Sequence, residues 1–115
     1  QFIWTLPEKL EIPLQSESIV DADGNIIGTQ DHYVVFTSIA FSLDTKAKGY
    51  KEYGANIANY ESMVRGAVTS VVSKHTIDDC RNDFDTIREE VLEAVRGLFD
   101  KEFIYDVAIS GIKYQ

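Results

Sequence analysis

The sequence predicts a two-layer α/β sandwich of the α+β kind. It has a small, mostly antiparallel sheet with two long helices on one face, in the order β-β-(short α)-α-α-β. Three observations carry this. Apolar residues alternate with period two through Leu10–Val20 and again through His32–Leu43. Two stripes at helical spacing follow: Val64, Val68, Val71 and Val72, then Phe84, Ile87, Val91, Val95 and Leu98. Alternation returns at Phe103–Tyr114, where Phe103, Tyr105, Val107 and Ile109 oppose Ile104, Asp106, Ala108 and Ser110.

In the first strand Leu10, Ile12 and Leu14 share one side, with Glu11, Pro13 and Gln15 on the other. Pro13 has no N–H to donate and so suits a sheet edge. Asp21-Ala22-Asp23-Gly24-Asn25 is a turn built from residues that tolerate positive φ, so the two strands read as one long antiparallel hairpin. In the second strand Tyr33, Val35, Thr37, Ile39, Phe41 and Leu43 form one face. Val34, Phe36, Ser38, Ala40 and Ser42 form the other, and a second face that is also partly apolar makes the strand central.

The polar stretch Asp44–Gly54 leads to a short helix near Tyr50–Ala58. Asn59 can then cap a helix over Tyr60–Lys74, whose stripe Met63 and Ala67 widen. Lys74 and His75 suit the negative end of its dipole. Thr76-Ile77-Asp78-Asp79 reads as a new cap opening one short turn. Asn82 or Asp83 opens the longest helix, to about Asp100, with Thr86 and Glu89 at capping-box spacing as a later start.

The chain has 115 residues, 11 Lys+Arg against 19 Asp+Glu, a net charge of −8 and 44% hydrophobic residues. That length suits one domain with a core large enough to need no disulfide or metal staple. The acid excess argues against nucleic acid and against anionic lipid head groups, both of which attract a Lys/Arg surplus. A single cysteine, Cys80, can form no internal disulfide or Cys-based zinc site. A chain that opens on Gln1 rather than Met reads as a piece of a longer protein, and no run of 18 apolar residues is present to span a bilayer.

Residues that could carry chemistry have plainer readings. His32 and His75 belong to no catalytic or metal-binding spacing and read as surface imidazoles. Cys80 reads as a small core residue. Counting a calcium loop from Asp21 puts Ile26 where Gly is needed and His32 where Glu is needed, so Asp21–Asn25 reads as a hairpin turn. Asp78, Asp79, Asp83 and Asp85 sit where helix starts want acceptors. No catalytic, cofactor-binding or metal residue is assigned, and the chain reads as a protein without enzymatic activity. Phe2, Ile3 and Trp4, with Tyr50, Tyr53 and Tyr60, are the candidates for self-assembly or partner contacts, because aromatic residues are enriched at contact hot spots. Partial core packing is the plainer reading of the three tyrosines.

The stretch from Met63-Val64-Arg65-Gly66-Ala67-Val68 through Ser73-Lys74-His75-Thr76-Ile77-Asp78-Asp79 resembles a segment of the flagellar basal-body-associated protein FliL family. There, a helix of small and apolar residues is followed by Ser-Lys-Thr and then acids. The acid-rich helix Asp85–Val95 and the ending Ile104-Tyr105-Asp106-Val107 through Gln115 continue the likeness, which covers Met63–Gln115. His75 inside Ser-Lys-Thr and Gly111 in place of a larger residue depart from the pattern.

The resemblance implies a stomatin-like extracytoplasmic domain at residues 10–115. Residues 1–9 would be a linker from a preceding membrane helix in the bacterial inner membrane. It further implies a homo-oligomeric ring around the flagellar stator, contacting the membrane-proximal segment of MotB, and no cofactor. The alternative function is an extracytoplasmic ligand- or calcium-binding module using the Asp21–Asn25 turn.

Overall fold

The computed structural model describes residues 1–115 and is the expected two-layer α+β sandwich. Strands β1 (Phe2–Thr5), β2 (Leu10–Pro13), β3 (Glu17–Val20), β4 (Ile26–Gln30) and β5 (Tyr33–Leu43) come first. Helix α1 (Lys48–Glu52) and a 3-10 turn over Gly54–Tyr60 follow. Helices α2 (Glu61–Val72), α3 (Ile77–Asn82) and α4 (Phe84–Arg96) lead to β6 (Ile104–Tyr114).

Strand β5 is central, as its two faces suggested. β6 pairs antiparallel along nearly its whole length, from Val34↔Tyr114 to Leu43↔Ile104. Its other edge is shared end to end by β1, from Phe2↔Leu43 to Thr5↔Ala40, and β2, from Leu10↔Phe36 to Pro13↔Tyr33. Residues 2–5 are therefore part of the sheet and not a linker. Trp4 is 8% exposed and stacks on Phe41 at a centroid distance of 6.0 Å. Alternating burial makes this strand: Trp4 and Leu6 turn inward while Ile3 and Thr5 turn out.

The expected long hairpin is instead two structures. Leu10–Pro13 stays with β5, and Leu14 N donates to His32 O to close the ladder. The chain then leaves the sheet as a separate two-stranded ribbon in which Glu17–Val20 pairs with Ile26–Gln30. Gln15 N donates to His75 O, tying the ribbon's base to the end of α2. The body and this arm together measure 60 × 23 × 21 Å.

A crease crosses the sheet. The inward residues of β5 are Val34 and Phe36 and then Ile39, Phe41 and Leu43, so the face switches at Thr37–Ser38. The single face Tyr33, Val35, Thr37, Ile39, Phe41 and Leu43 is thus corrected: Tyr33 and Thr37 face solvent. β6 switches in step, from Val107 and Ile109 to Ile112 and Tyr114, about Gly111 at φ +64°. Thr37 Oγ1 donates to Gly111 O at 2.7 Å. The β1–β2 edge takes up the mismatch with one extra residue between Thr5↔Ala40 and Leu10↔Phe36, and Glu8 there has φ +146°. Arg65 of α2 spans the crease, donating to Glu8 O at 3.2 Å and Lys9 O at 2.9 Å.

The helices cover the inward face. Val64, Val68 and Val72 of α2 and Ile87, Val91 and Val95 of α4 are each 0–1% exposed and pack with the sheet residues in one core. Asn59 is not the cap of α2. The 3-10 turn runs directly into that helix from Tyr60, which makes no side-chain cap bond. Thr76 is a cap as read: its hydroxyl accepts from Asp79 N while the Asp79 carboxylate accepts from Thr76 N. Thr86 does not open a later start; its hydroxyl donates to Asp83 Oδ1 at 2.8 Å. α4 ends at Arg96, short of Asp100, because the chain passes into turns from Gly97 to Phe99.

Candidate functional site

The junction of α2 and α3 holds a connected group of titratable side chains. His75 Nδ1 lies 3.2 Å from Asp79 Oδ2 and Nε2 lies 3.0 Å from Glu90 Oε1. The Asp79 carboxyl is held below its ordinary range, first by the Thr76 backbone amide and then by His75. The two carboxylates meet opposite ring nitrogens, so the three groups do not converge on one point where a cation could sit. Burial pushes the thiol of Cys80 up, with the Asp79 charge adding to it, and the side chain is 1% exposed. A raised thiol is a poor nucleophile. Both ring nitrogens of His75 face carboxylates, and the junction reads as a cap that joins α2, α3 and α4.

The aromatic candidates divide. Tyr53, Tyr60, Phe99 and Phe103 form one cluster, with Tyr53–Phe99 centroids 5.1 Å apart and Tyr60–Phe99 5.4 Å. The Tyr53 hydroxyl donates to Asp100 Oδ1 at 2.6 Å, and the resulting loss on ionisation pushes its pKa up to about 12. Tyr50 is half-buried against the same core. Tyr50, Tyr53 and Tyr60 thus contribute chiefly to packing, as does Trp4, while Phe2 and Ile3 remain exposed beside it.

Asp21–Asn25 is the β3–β4 turn. Asp21 Oδ1 accepts from Asp23 N and Asn25 N, each at 2.9 Å, and Gly24 takes φ +84°. Its carboxylate is engaged by the turn's own amides. No group of three or more His, Cys, Asp or Glu side chains is arranged to hold a metal ion.

The sequence reading missed the surface that stands out most. Ile19, Val20, Ile26 and Ile27 on the arm are all exposed, and no residue of either arm strand is buried. Apolar residues on both sides of an Asp-Gly turn signal a hairpin. What that signal omits is whether the ribbon lies on a core. At the opposite end of the sheet Phe2 and Ile3 are exposed on the β1 edge, while residues 44–52 pack on the β6 side, where Asp44 N donates to Phe103 O at 2.8 Å.

No protein-family model and no curated protein matches the chain in sequence.

Proposed function

We propose that this domain is a non-enzymatic scaffold of the FliL kind. On this reading it is the extracytoplasmic part of an inner-membrane flagellar protein, oligomerising in a ring beside the stator and supporting torque through the membrane-proximal segment of MotB. The observation that carries the reading is where the resembling segment falls. Val64, Val68 and Val72, the Thr76–Asp79 cap, Ile87, Val91 and Val95, and Val107 form the helix–sheet interface. A pattern made of packing and capping residues supports a role in shape and assembly rather than turnover.

Both departures from the family pattern have local structural roles here: His75 bridges two carboxylates, and Gly111 sits in the crease. Deleting the gene should impair swimming or swarming while filaments still assemble, and restoring the gene should restore motility. Unchanged motility in the deletion strain would refute the proposal.

A further inference from the structure

We infer that β6 is a docking edge for a second copy of this chain, paired antiparallel across a two-fold axis between Ser110 and Gly111. The contact is independent of the role proposed above, because a two-fold pairing closes on itself and builds no ring. β6 runs for 11 residues and pairs only with β5, which leaves its other side open. The opposite edge of the sheet is made of two strands of four residues each. A long open edge is a template for strand addition, and natural sheets usually keep such edges short or covered.

Bonds already made show which groups point to the open side. Gln115 exchanges both backbone bonds with Tyr33 of β5, so by alternation Tyr114 and Ile112 turn away from β5. Beyond the crease, Ile39 O accepts from Leu6 N, which turns Ile39 toward β1 and its partner Ile109 toward the open side, together with Val107. The Val107 amide agrees: it donates to Asp106 Oδ1 at 2.9 Å rather than to a strand.

The crease makes this edge read alike in both directions. About the point between Ser110 and Gly111, Ile109 mirrors Ile112 and Val107 mirrors Tyr114. All four face the open side and pack on the helix layer. Ser110 mirrors Gly111 and Ala108 mirrors Lys113, all exposed on the other face. Antiparallel partners must share a face and exchange bonds, and this register meets both demands from Val107 to Tyr114. Val107 then bonds the neighbour's Tyr114, and Ile109 the neighbour's Ile112, each twice by symmetry. The half-buried Ile109 and Ile112 cover one another, and the two creases continue as one line.

Charge favours the same arrangement. Lys113 forms no ion pair within the chain and falls on the diagonal from the neighbour's Asp106, once on each side of the axis. Asp106 guards the edge in the single copy, held by Arg88 at 3.4 Å. Once the neighbour's Tyr114 O takes the Val107 N–H, that carboxylate is free to meet Lys113. A register centred on Ala108 also matches faces, but it sets the crease against the irregularity beside Ser42 and leaves Lys113 away from Asp106.

The test uses the whole chain as Ala108→Cys and as Lys113→Cys, both exposed positions, while Cys80 is 1% exposed and stays out of reach. In the proposed register these two residues form a non-hydrogen-bonded pair about 4.5 Å apart at Cα, within disulfide range. Within one chain they lie about 17 Å apart and cannot close. Mild oxidation of the mixed variants should give a disulfide dimer and nothing larger, and neither variant alone should cross-link. In the wild-type chain, amide exchange at Val107, Ile109, Ile112 and Tyr114 should slow as protein concentration rises, while Ala108 and Lys113 stay equally protected throughout. Lys113→Glu should raise the dissociation constant in sedimentation velocity about tenfold, since two attractive diagonals become repulsive.

Dimers from Ala108→Cys alone would overturn this register in favour of the one centred on Ala108. A ladder beyond the dimer would overturn the two-fold axis. Wild-type dimers whose edge amides exchange as fast as in the monomer would move the contact to another surface. A chain that is monomeric at its highest soluble concentration, with no cross-link in the mixture, would refute the pairing.

Discussion

Gly111→Ala should be among the most damaging single-methyl changes in this protein, although residue 111 is exposed. A Cβ there would lie 2.5 Å from Thr37 Cβ and 2.7 Å from Thr37 Oγ1, on a backbone held at φ +64°. A left-handed conformation costs a residue with a Cβ about 1–2 kcal/mol. Forcing a methyl into occupied space adds about 1–3 kcal/mol. The expected loss is therefore about 2–5 kcal/mol, against a total of about 5–15 for a domain of this kind. It should lower the midpoint of a urea transition followed by circular dichroism, and the melting temperature by about 4 °C per kcal/mol.

The partner residue provides the internal control. Thr37→Ala keeps the colliding Cβ and should not rescue. Thr37→Gly removes it and should recover the steric share of the loss but not the conformational share, a coupling of about 1–3 kcal/mol in a double-mutant cycle. A Gly111→Ala protein within about 0.5 kcal/mol of wild type, the usual spread of neutral surface changes, would refute the crease as described. So would equal rescue by Thr37→Ala and Thr37→Gly.

Val91→Asp places a carboxylate at a fully buried position between α4 and the sheet and should abolish the cooperative thermal melt; a retained two-state transition would mean that the helix faces the other way. Thr76→Ala removes the hydroxyl that accepts from Asp79 N and should cost about 1 kcal/mol, read as a lowered urea midpoint with an unchanged slope. Because the Asp79 carboxyl is lowered in the fold from an ordinary 3.8, its contribution is complete above that value and is lost as pH falls through the lower folded value. Acid unfolding below about pH 4 should therefore be shallower in Asp79→Asn than in wild type, and superimposable acid limbs would refute the link. Cys80 should react with a thiol reagent at neutral pH only as fast as the chain unfolds, and rapid labelling in native buffer would contradict its burial.

The helical half was legible because its signals are local. Val64–Val72 and Ile87–Val95 repeat at the helix period over three turns, and Thr76–Asp79 is a complete capping box. What escaped needs partners distant in the chain. β1 is four residues long and gains its place only from pairing with Leu43–Ala40, some forty residues later. The boundary between β2 and the arm has only a local mark, since the apolar alternation of Leu10, Ile12 and Leu14 gives way to Ser16 and Ser18 before Ile19 and Val20. Only the hydrogen bond from Leu14 N to His32 O shows where the sheet ends.

The crease had a faint signal. Thr37 and Ser38 are adjacent polar residues in a strand whose residues in the main core, Val34 and Phe36 and then Ile39, Phe41 and Leu43, fall on even numbers before them and odd numbers after. Strict alternation cannot express such a change of parity, and Gly111 on the neighbouring strand is its counterpart. For the candidate site, Phe2 and Ile3 were found as exposed, whereas Trp4, Tyr53 and Tyr60 went to the core. Residue type alone does not tell an anchoring aromatic from a contacting one.

The rung from Leu14 to His32 also makes the arm a module. Everything between those two residues can be shortened, lengthened or replaced by a tight turn without disturbing a single buried side chain of the body, because the residues that close the ladder lie beneath it. Reach and foldedness are then under separate control, and an engineer can graft a foreign ribbon at this point.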